Sequence, residues 1–176
     1  MVDTVRTLAQ LQALLADNET GNISPQDLRD FLVSALGVYG GISIDEGVDI
    51  QTPGTSPEKI DQFTANLPAV GLTPDHAQDR ITVDAGSDGM YLIAAQVSFS
   101  GTNNAGFHVY IYKNGATTGP FAFHRKLGAG GDIGSASILG LVSLVEADFI
   151  ELWVAAETGT PNFTVEDSQL VMVRIG

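Results

Sequence analysis

The chain has 176 residues, of which 44% are hydrophobic and 16% are charged. This composition is typical of one compact domain with an appendage, and it excludes a disordered, collagen-like or multi-domain protein. The 8 Lys and Arg residues against 21 Asp and Glu residues give a formal net charge of -13, which argues against nucleic acid or an anionic membrane as the partner. The absence of cysteine excludes disulfides, thiol catalysis and cysteine-ligated metals.

The apolar segments are short. The longest run, residues 138–145, is interrupted by Gly140 and Ser143, and the first residues lack the basic region of a signal peptide. We therefore expect neither membrane insertion nor secretion by the general route.

The glycines separate two parts of the chain, since of the 20 glycines only Gly21 precedes Gly37. Before this boundary apolar residues recur every three or four positions, which predicts a short α-helical hairpin over residues 1–37. Ser24 and Pro25 mark the start of its second helix. The candidates for docking through the apolar stripes are Leu8, Leu11, Leu15, Leu28, Phe31 and Leu32.

A hairpin of this size has too small a core to be stable alone. Its apolar stripes therefore pack either on the rest of the chain or on a larger assembly. The sequence leaves both alternatives open.

The rest of the chain shows strand patterns. The proline-rich stretch 41–80 is predicted to contain two short edge strands, at 42–44 and 60–63, between long loops. Residues 90–99 alternate with a period of two, which predicts a long strand with one buried face. Residues 107–112 alternate in the same way, and Asn114-Gly115 is the signal of a type I′ hairpin turn before a returning strand at 121–123. Three further strands are predicted at 135–145, 149–155 and 164–175, so the fold class is mainly β, an antiparallel jelly-roll sandwich of about ten strands.

Several short motifs carry a family resemblance through their order and spacing. They are DGMYLI at 88–93, VSF at 97–99, YIYKNG at 110–115, SAS at 135–137, LVSL at 141–144 and LVMV at 170–173. In these motifs the chain resembles the complement globular-head and tumour-necrosis-factor-like jelly-roll superfamily over residues 41–176. The resemblance implies a ten-stranded jelly roll that assembles as a tight homotrimer. The chain differs from the family at Ala147-Asp148, where the family usually has Gly-Asp.

One strand offers candidates for the trimer interface that this resemblance implies. Tyr110 and Tyr112 lie on the opposite face of the strand from Phe107 and Ile111, so both faces need an apolar environment. We therefore take Tyr110 and Tyr112 as the trimer-interface candidates. The alternative is that both tyrosines are half-exposed, with hydrated hydroxyl groups.

The N-terminal part carries a second resemblance. Residues 16–30, ADNETGNISPQDLRD, are similar to an N-terminal module of tailed-bacteriophage virion proteins. Together the two resemblances imply a phage structural protein, a head or tail fibre or a capsid decoration protein, made in the host cytoplasm and located in the virion. Residues 1–37 would dock to a capsid or tail protein, and residues 38–176 would form the trimeric domain. The alternative is a receptor- or glycan-binding module of the same fold, such as a fibre tip, that binds the host surface through loops 101–106 and 124–134.

The sequence shows no constellation of catalytic residues, and a hydrolase is the weakest of the three hypotheses. His76, His108 and His124 are not at metal-binding spacing. The glycine-rich stretch 128–134 lacks the following helix of a phosphate loop and is interpreted as a connection between strands. The positive cluster at 124–126 is interpreted as a solvated turn. We therefore expect a non-enzymatic protein without a cofactor or a metal.

Overall fold

The computed structural model describes residues 37–176, together with Gln10, Ala13 and Phe31. These three isolated residues have helical backbone, and Phe31 is exposed. Three positions do not establish a hairpin, so the helical hairpin predicted over 1–37 is unsupported and remains a prediction. Its other docking candidates lie outside the described residues: Leu8, Leu11, Leu15, Leu28 and Leu32. Within the described residues no helix is long and apolar enough to cross a membrane.

Residues 37–176 form eleven strands and one short 3-10 helix. The strands are β1 (Tyr39–Ile44), β2 (Glu58–Lys59), β3 (Ala65–Asn66), β4 (Leu72–Asp75), β5 (Arg80–Val83), β6 (Gly89–Gly101), β7 (Gly106–Lys113), β8 (Ala116–Lys126), β9 (Gly134–Leu144), β10 (Phe149–Ala156) and β11 (Phe163–Arg174). The 3-10 helix, His76–Gln78, connects β4 to β5.

The strands form two antiparallel sheets. Sheet A has the strand order β3-β1-β11-β6-β9, and sheet B has the order β4-β5-β10-β7-β8, with β2 paired to β10 as well. Most neighbours within a sheet are distant in the chain, as the crossing connections of a jelly roll require. The prediction of a mainly-β antiparallel jelly roll is thus confirmed for this part of the chain.

The core lies between the two sheets, because alternate side chains of each long strand point inward. In β6 the five inward residues between Tyr91 and Phe99 are at most 3% exposed. The rings of Phe99, Phe107 and Phe163 form one cluster, with centroids 5.0 to 5.7 Å apart. This continuous core fixes which residues face outward on each sheet.

The proline-rich stretch differs from its prediction. Residues 42–44 belong to β1, which lies between β3 and β11 and is therefore not an edge strand. Residues 60–63 form no strand, although Ile60 and Phe63 are buried. Their apolar side chains fill the core from an irregular segment, in which the Ile60 N–H donates to the Leu152 carbonyl at 2.9 Å.

The two turns at one side of sheet B support each other. Asn114 and Gly115 both have positive φ, at 53° and 71°, and join β7 to β8 as the predicted two-residue turn. The Asn114 side chain donates to Asp148 Oδ1 at 2.7 Å and accepts the Phe149 N–H at 2.9 Å. In the second turn, which joins β9 to β10, Ala147 has a φ of 67°, a conformation that favours glycine.

The two ends of the sandwich have different features. Tyr39 in β1 pairs with Val173 near the end of β11, so residue 37 and the chain terminus at Gly176 lie at one end, called here the N-terminal end. At the opposite end, called the loop end, the Leu127 N–H donates to the Ala105 carbonyl at 2.9 Å. The loops 101–106, 127–133 and 157–162 meet at this end.

Candidate functional site

The outward residues of sheet A form rows across four neighbouring strands, β1, β11, β6 and β9. The row nearest the N-terminal end consists of Tyr39, Val173, Leu92 and Leu141, and the next row consists of Gly41, Val171, Ala94 and Leu139. Because every member of both rows is apolar or glycine, the outer face of sheet A has a continuous apolar area here. We call this area, together with the adjoining Met90 and Ile175, the apolar patch.

The apolar patch concentrates the exposed hydrophobic side chains of the domain. Of the eleven large hydrophobic residues that are exposed within residues 37–176, seven belong to the patch. Leu139 is 67% exposed and Leu141 is 55% exposed. Scattered exposed hydrophobic residues are normal on a monomer, but a contiguous patch of this kind marks an interaction surface.

The surface of the apolar patch contains two depressions. Gly41 has no side chain between Val171 and Leu67, and a groove of about 420 Å³ lies there, bordered by Tyr39 and Pro68. A second depression of about 230 Å³ lies beside Leu139. Leu139 of β9 borders the second depression and is mostly exposed, so the surface offers both a protrusion and recesses to a partner.

Polar residues border the patch. The third row across the same strands consists of Ser43, Gln169, Gln96 and Ser137. A pocket of about 390 Å³ lies at this row, with the carboxylates of Asp45 and Asp167 at its wall. An apolar centre with a polar rim is the usual composition of a protein–protein interface.

Tyr110 and Tyr112 lie elsewhere, on the outer face of sheet B. The Tyr112 ring stacks on Trp153 with centroids 4.5 Å apart, and the Tyr110 ring contacts both Tyr112 and His108 at 6.1 Å. Burial raises the pKa of Tyr110, and the neighbouring Tyr112 adds to this rise. These rings are half-buried by their own chain, so their apolar environment does not require a second subunit. Their role in a trimer remains a prediction, and the structure offers sheet A as a more apolar surface.

Two buried carboxylates stabilise loops. Burial by itself would raise the pKa of Asp148, but the Lys113 ammonium at 2.7 Å and the Val145 N–H at 2.9 Å outweigh it and lower that pKa. Burial raises the pKa of Asp79, despite a hydrogen bond from the Phe63 N–H and the nearby Lys59. Both side chains bind backbone amides of irregular segments, which is a structural use of a carboxylate.

The structure brings together two histidines that are distant in the sequence. His108 in β7 and His124 in β8 are direct cross-strand partners, and their rings stack with centroids 4.4 Å apart. The positive cluster 124–126 therefore belongs to a strand and is not a solvated turn. Arg125 in this cluster pairs with Asp132 at 3.3 Å. Sequence spacing missed the histidine pair because the register of β7 against β8 creates it.

Comparison with known proteins gives the fold. No family model and no curated protein matches the sequence. Among solved structures the chain is similar to murine APRIL in a crystal structure at pH 5.0, with a TM-score of 0.51 and 18% identity over 78% of this chain and 99% of that chain. It is also similar to an Eiger TNF from S. frugiperda, with a TM-score of 0.49 and 12% identity over 80% of this chain and 94% of that chain. The described domain therefore has the TNF-like jelly-roll fold that the sequence motifs implied.

Proposed function

We propose that this chain is a non-enzymatic structural protein of a bacteriophage particle. Three copies assemble through the apolar patch, and residues 1–37 attach the trimer to a capsid or tail protein of the virion. The observation that carries the proposal is the apolar patch, which needs a partner surface. A second copy of the chain supplies such a surface, and the TNF-like fold favours a trimer, as the family resemblance implies.

The phage assignment is supported by the similarity of residues 16–30 to the virion module and by the arrangement of the domain. The chain reaches β1 at the N-terminal end, whereas the three long loops meet at the opposite end. A trimer attached through its N-terminal segment would thus expose its loop end. This is the arrangement expected of a fibre or decoration protein that is anchored at one end.

The apolar patch has one competing occupant within the chain, namely the apolar stripes of residues 1–37. Light scattering on the full chain and on a protein that starts at Val38 shows whether a second copy or residues 1–37 cover the patch. We expect a mass near three times 18.5 kDa for the full chain and a trimer for the shortened protein. A monomeric full chain would contradict the trimer. A shortened protein that is monomeric while the full chain is trimeric would show that residues 1–37 hold the trimer together.

Attachment is tested separately with purified particles. Each protein is added to particles that lack the native protein. The full chain should sediment with these particles, and the shortened protein should not. Incorporation of the shortened protein at the level of the full chain would overturn the docking role of residues 1–37.

A second candidate function is receptor or glycan binding by the loop end. It is favoured by the contact between the two predicted loops, in which the Asn104 N–H donates to the Gly128 carbonyl at 3.3 Å. The segment 157–162 adjoins them, since the Thr102 N–H donates to the Asn162 carbonyl at 3.0 Å. These segments thus form one surface. Binding of the shortened protein to host-surface glycans, and its loss on exchanging residues 129–133, would support this function.

A further inference from the structure

Three potential metal ligands meet on the outer face of sheet B, near the loop end. His108 lies in β7, His124 faces it from β8, and Glu157 follows directly after β10. One ligand atom from each residue can be chosen so that all three lie within 4.8 Å of one another. The arrangement depends on three strands and lies on the opposite sheet from the apolar patch.

The backbone holds these residues in place. His108 and His124 are fixed by the pairing of β7 with β8, and the Glu157 N–H donates to the Gly106 carbonyl at 2.9 Å. A Cβ at position 106 would overlap Oε2 of Glu157. Glycine at the start of β7 therefore leaves room for the carboxylate beside the two imidazoles.

The side chains are close to ligating distances. Nε2 of His124 lies 2.8 Å from Oε1 of Glu157. A tetrahedral ion with bonds of about 2.0–2.1 Å needs ligand atoms about 3.3 Å apart. The three ligand atoms lie within 4.8 Å of one another, so a shift of up to about 1.5 Å would bring all three into range of such an ion. The side chains of His124 and Glu157 are 48% and 40% exposed, which leaves them free to adjust.

We propose that His108, His124 and Glu157 bind one divalent transition-metal ion, of which Zn²⁺ is the representative. Two imidazole nitrogens and one carboxylate oxygen suit Zn²⁺ and similar ions, whereas Mg²⁺ and Ca²⁺ prefer oxygen ligands. The ion binds imidazole nitrogens that carry no proton and an ionised carboxylate, so protons compete with it for the three ligand atoms. Water completes the coordination on the exposed side.

The consequence of binding is a link between β7, β8 and the loop that follows β10. An ion that binds only the folded protein stabilises it, because the unfolded chain does not hold the three ligands together. This inference does not rest on the proposed function, since it concerns another sheet and would hold for a monomer or a trimer.

The test is calorimetric titration of Zn²⁺ into the full chain, with His124→Ala and Glu157→Gln as site variants. We expect one specific ion per chain, and in each variant a loss of affinity larger than the roughly 10–100-fold that loss of an outer-shell partner costs. The matched control is His76→Ala, because His76 is the third histidine of the chain and binds Asn66 away from the site. This control should bind Zn²⁺ as the native chain does.

A second measurement uses Co²⁺, whose visible absorption reports direct coordination, and a third follows the melting temperature with and without Zn²⁺. Both the absorption and the rise in melting temperature should disappear in the two site variants. The proposal is overturned if Zn²⁺ does not bind, if the site variants bind it as the native chain does, or if Mg²⁺ competes equally. Circular dichroism checks that the variants fold, and His108→Gln replaces any that does not.

Discussion

A substitution of Leu139 tests most directly whether the apolar patch is an interface between copies of the chain. Leu139 is the most exposed residue of the patch and lies in the second of its two rows. It is 67% exposed, and its strand neighbour across the sheet is Ala94. Complete burial of a leucine side chain contributes about 1.5–3 kcal/mol, so burial of the exposed part in an interface contributes about 1–2 kcal/mol per subunit. Three copies give about 3–6 kcal/mol for a trimer.

The perturbation is Leu139→Ser. Since a tenfold change corresponds to about 1.4 kcal/mol, the dissociation constant of the proposed trimer should rise by about 10²–10⁴-fold. The stability of the single domain should change by no more than about 0.5 kcal/mol, as for most surface substitutions. The variant thus separates assembly from folding.

The assay is light scattering over a dilution series, with the melting temperature measured in parallel. The matched control is Ile133→Ser, which removes a similarly exposed side chain, 57% exposed, from the loop between β8 and β9. We expect the control to dissociate at the same concentration as the native chain. If Leu139→Ser behaves like this control, the patch is not the interface and the reasoning fails.

The remaining predictions concern the stability of the domain. The pKa of Asp148 is lowered in the folded state, so its bond to Lys113 stabilises the domain above the ordinary carboxyl pKa. This stability is lost as the pH falls through the lowered pKa. Asp148→Asn should therefore cost about 1.5–3 kcal/mol at pH 7, and denaturant titrations should show a smaller decrease of the free energy of unfolding at acid pH. Ala147→Gly should raise the free energy of unfolding by about 1 kcal/mol, because it relieves a positive φ; a loss of stability would contradict this. Gly47→Ala should lower the free energy of unfolding by about 1–3 kcal/mol, because the added Cβ would overlap the carbonyl oxygen of Val165 in β11. In contrast, Gly54→Ala, which has open space around it, should be close to neutral in the same thermal unfolding assay.

Much of the fold could be predicted because strand patterns are local. The alternation of residues 90–99 predicted β6, and the predicted strand at 135–145 differs from β9 by one residue at each end. Asn114-Gly115 predicted its turn because few residue pairs adopt two positive φ angles. The prediction was wrong at 60–63, where apolar residues enter the core without forming a strand.

The candidate sites were much less predictable. Tyr110 and Tyr112 were chosen because their strand is apolar on both faces, but Trp153 and His108, from the same chain, supply the second environment. The sequence also gave no reason to select Leu139, since a leucine in a strand is normally a core residue.

Three features can be read from the sequence: long strands with alternating side chains within residues 80–176, a two-residue turn after Lys113, and a strongly acidic composition. The exposed face that Leu92, Leu139 and Val173 share, and the pairing of His108 with His124, depend on how the strands are arranged in the folded domain. The physical reason is that the period of a strand separates its two faces but does not specify its neighbours. Neighbours and register follow from the packing of the whole core, which joins residues that are far apart in the chain.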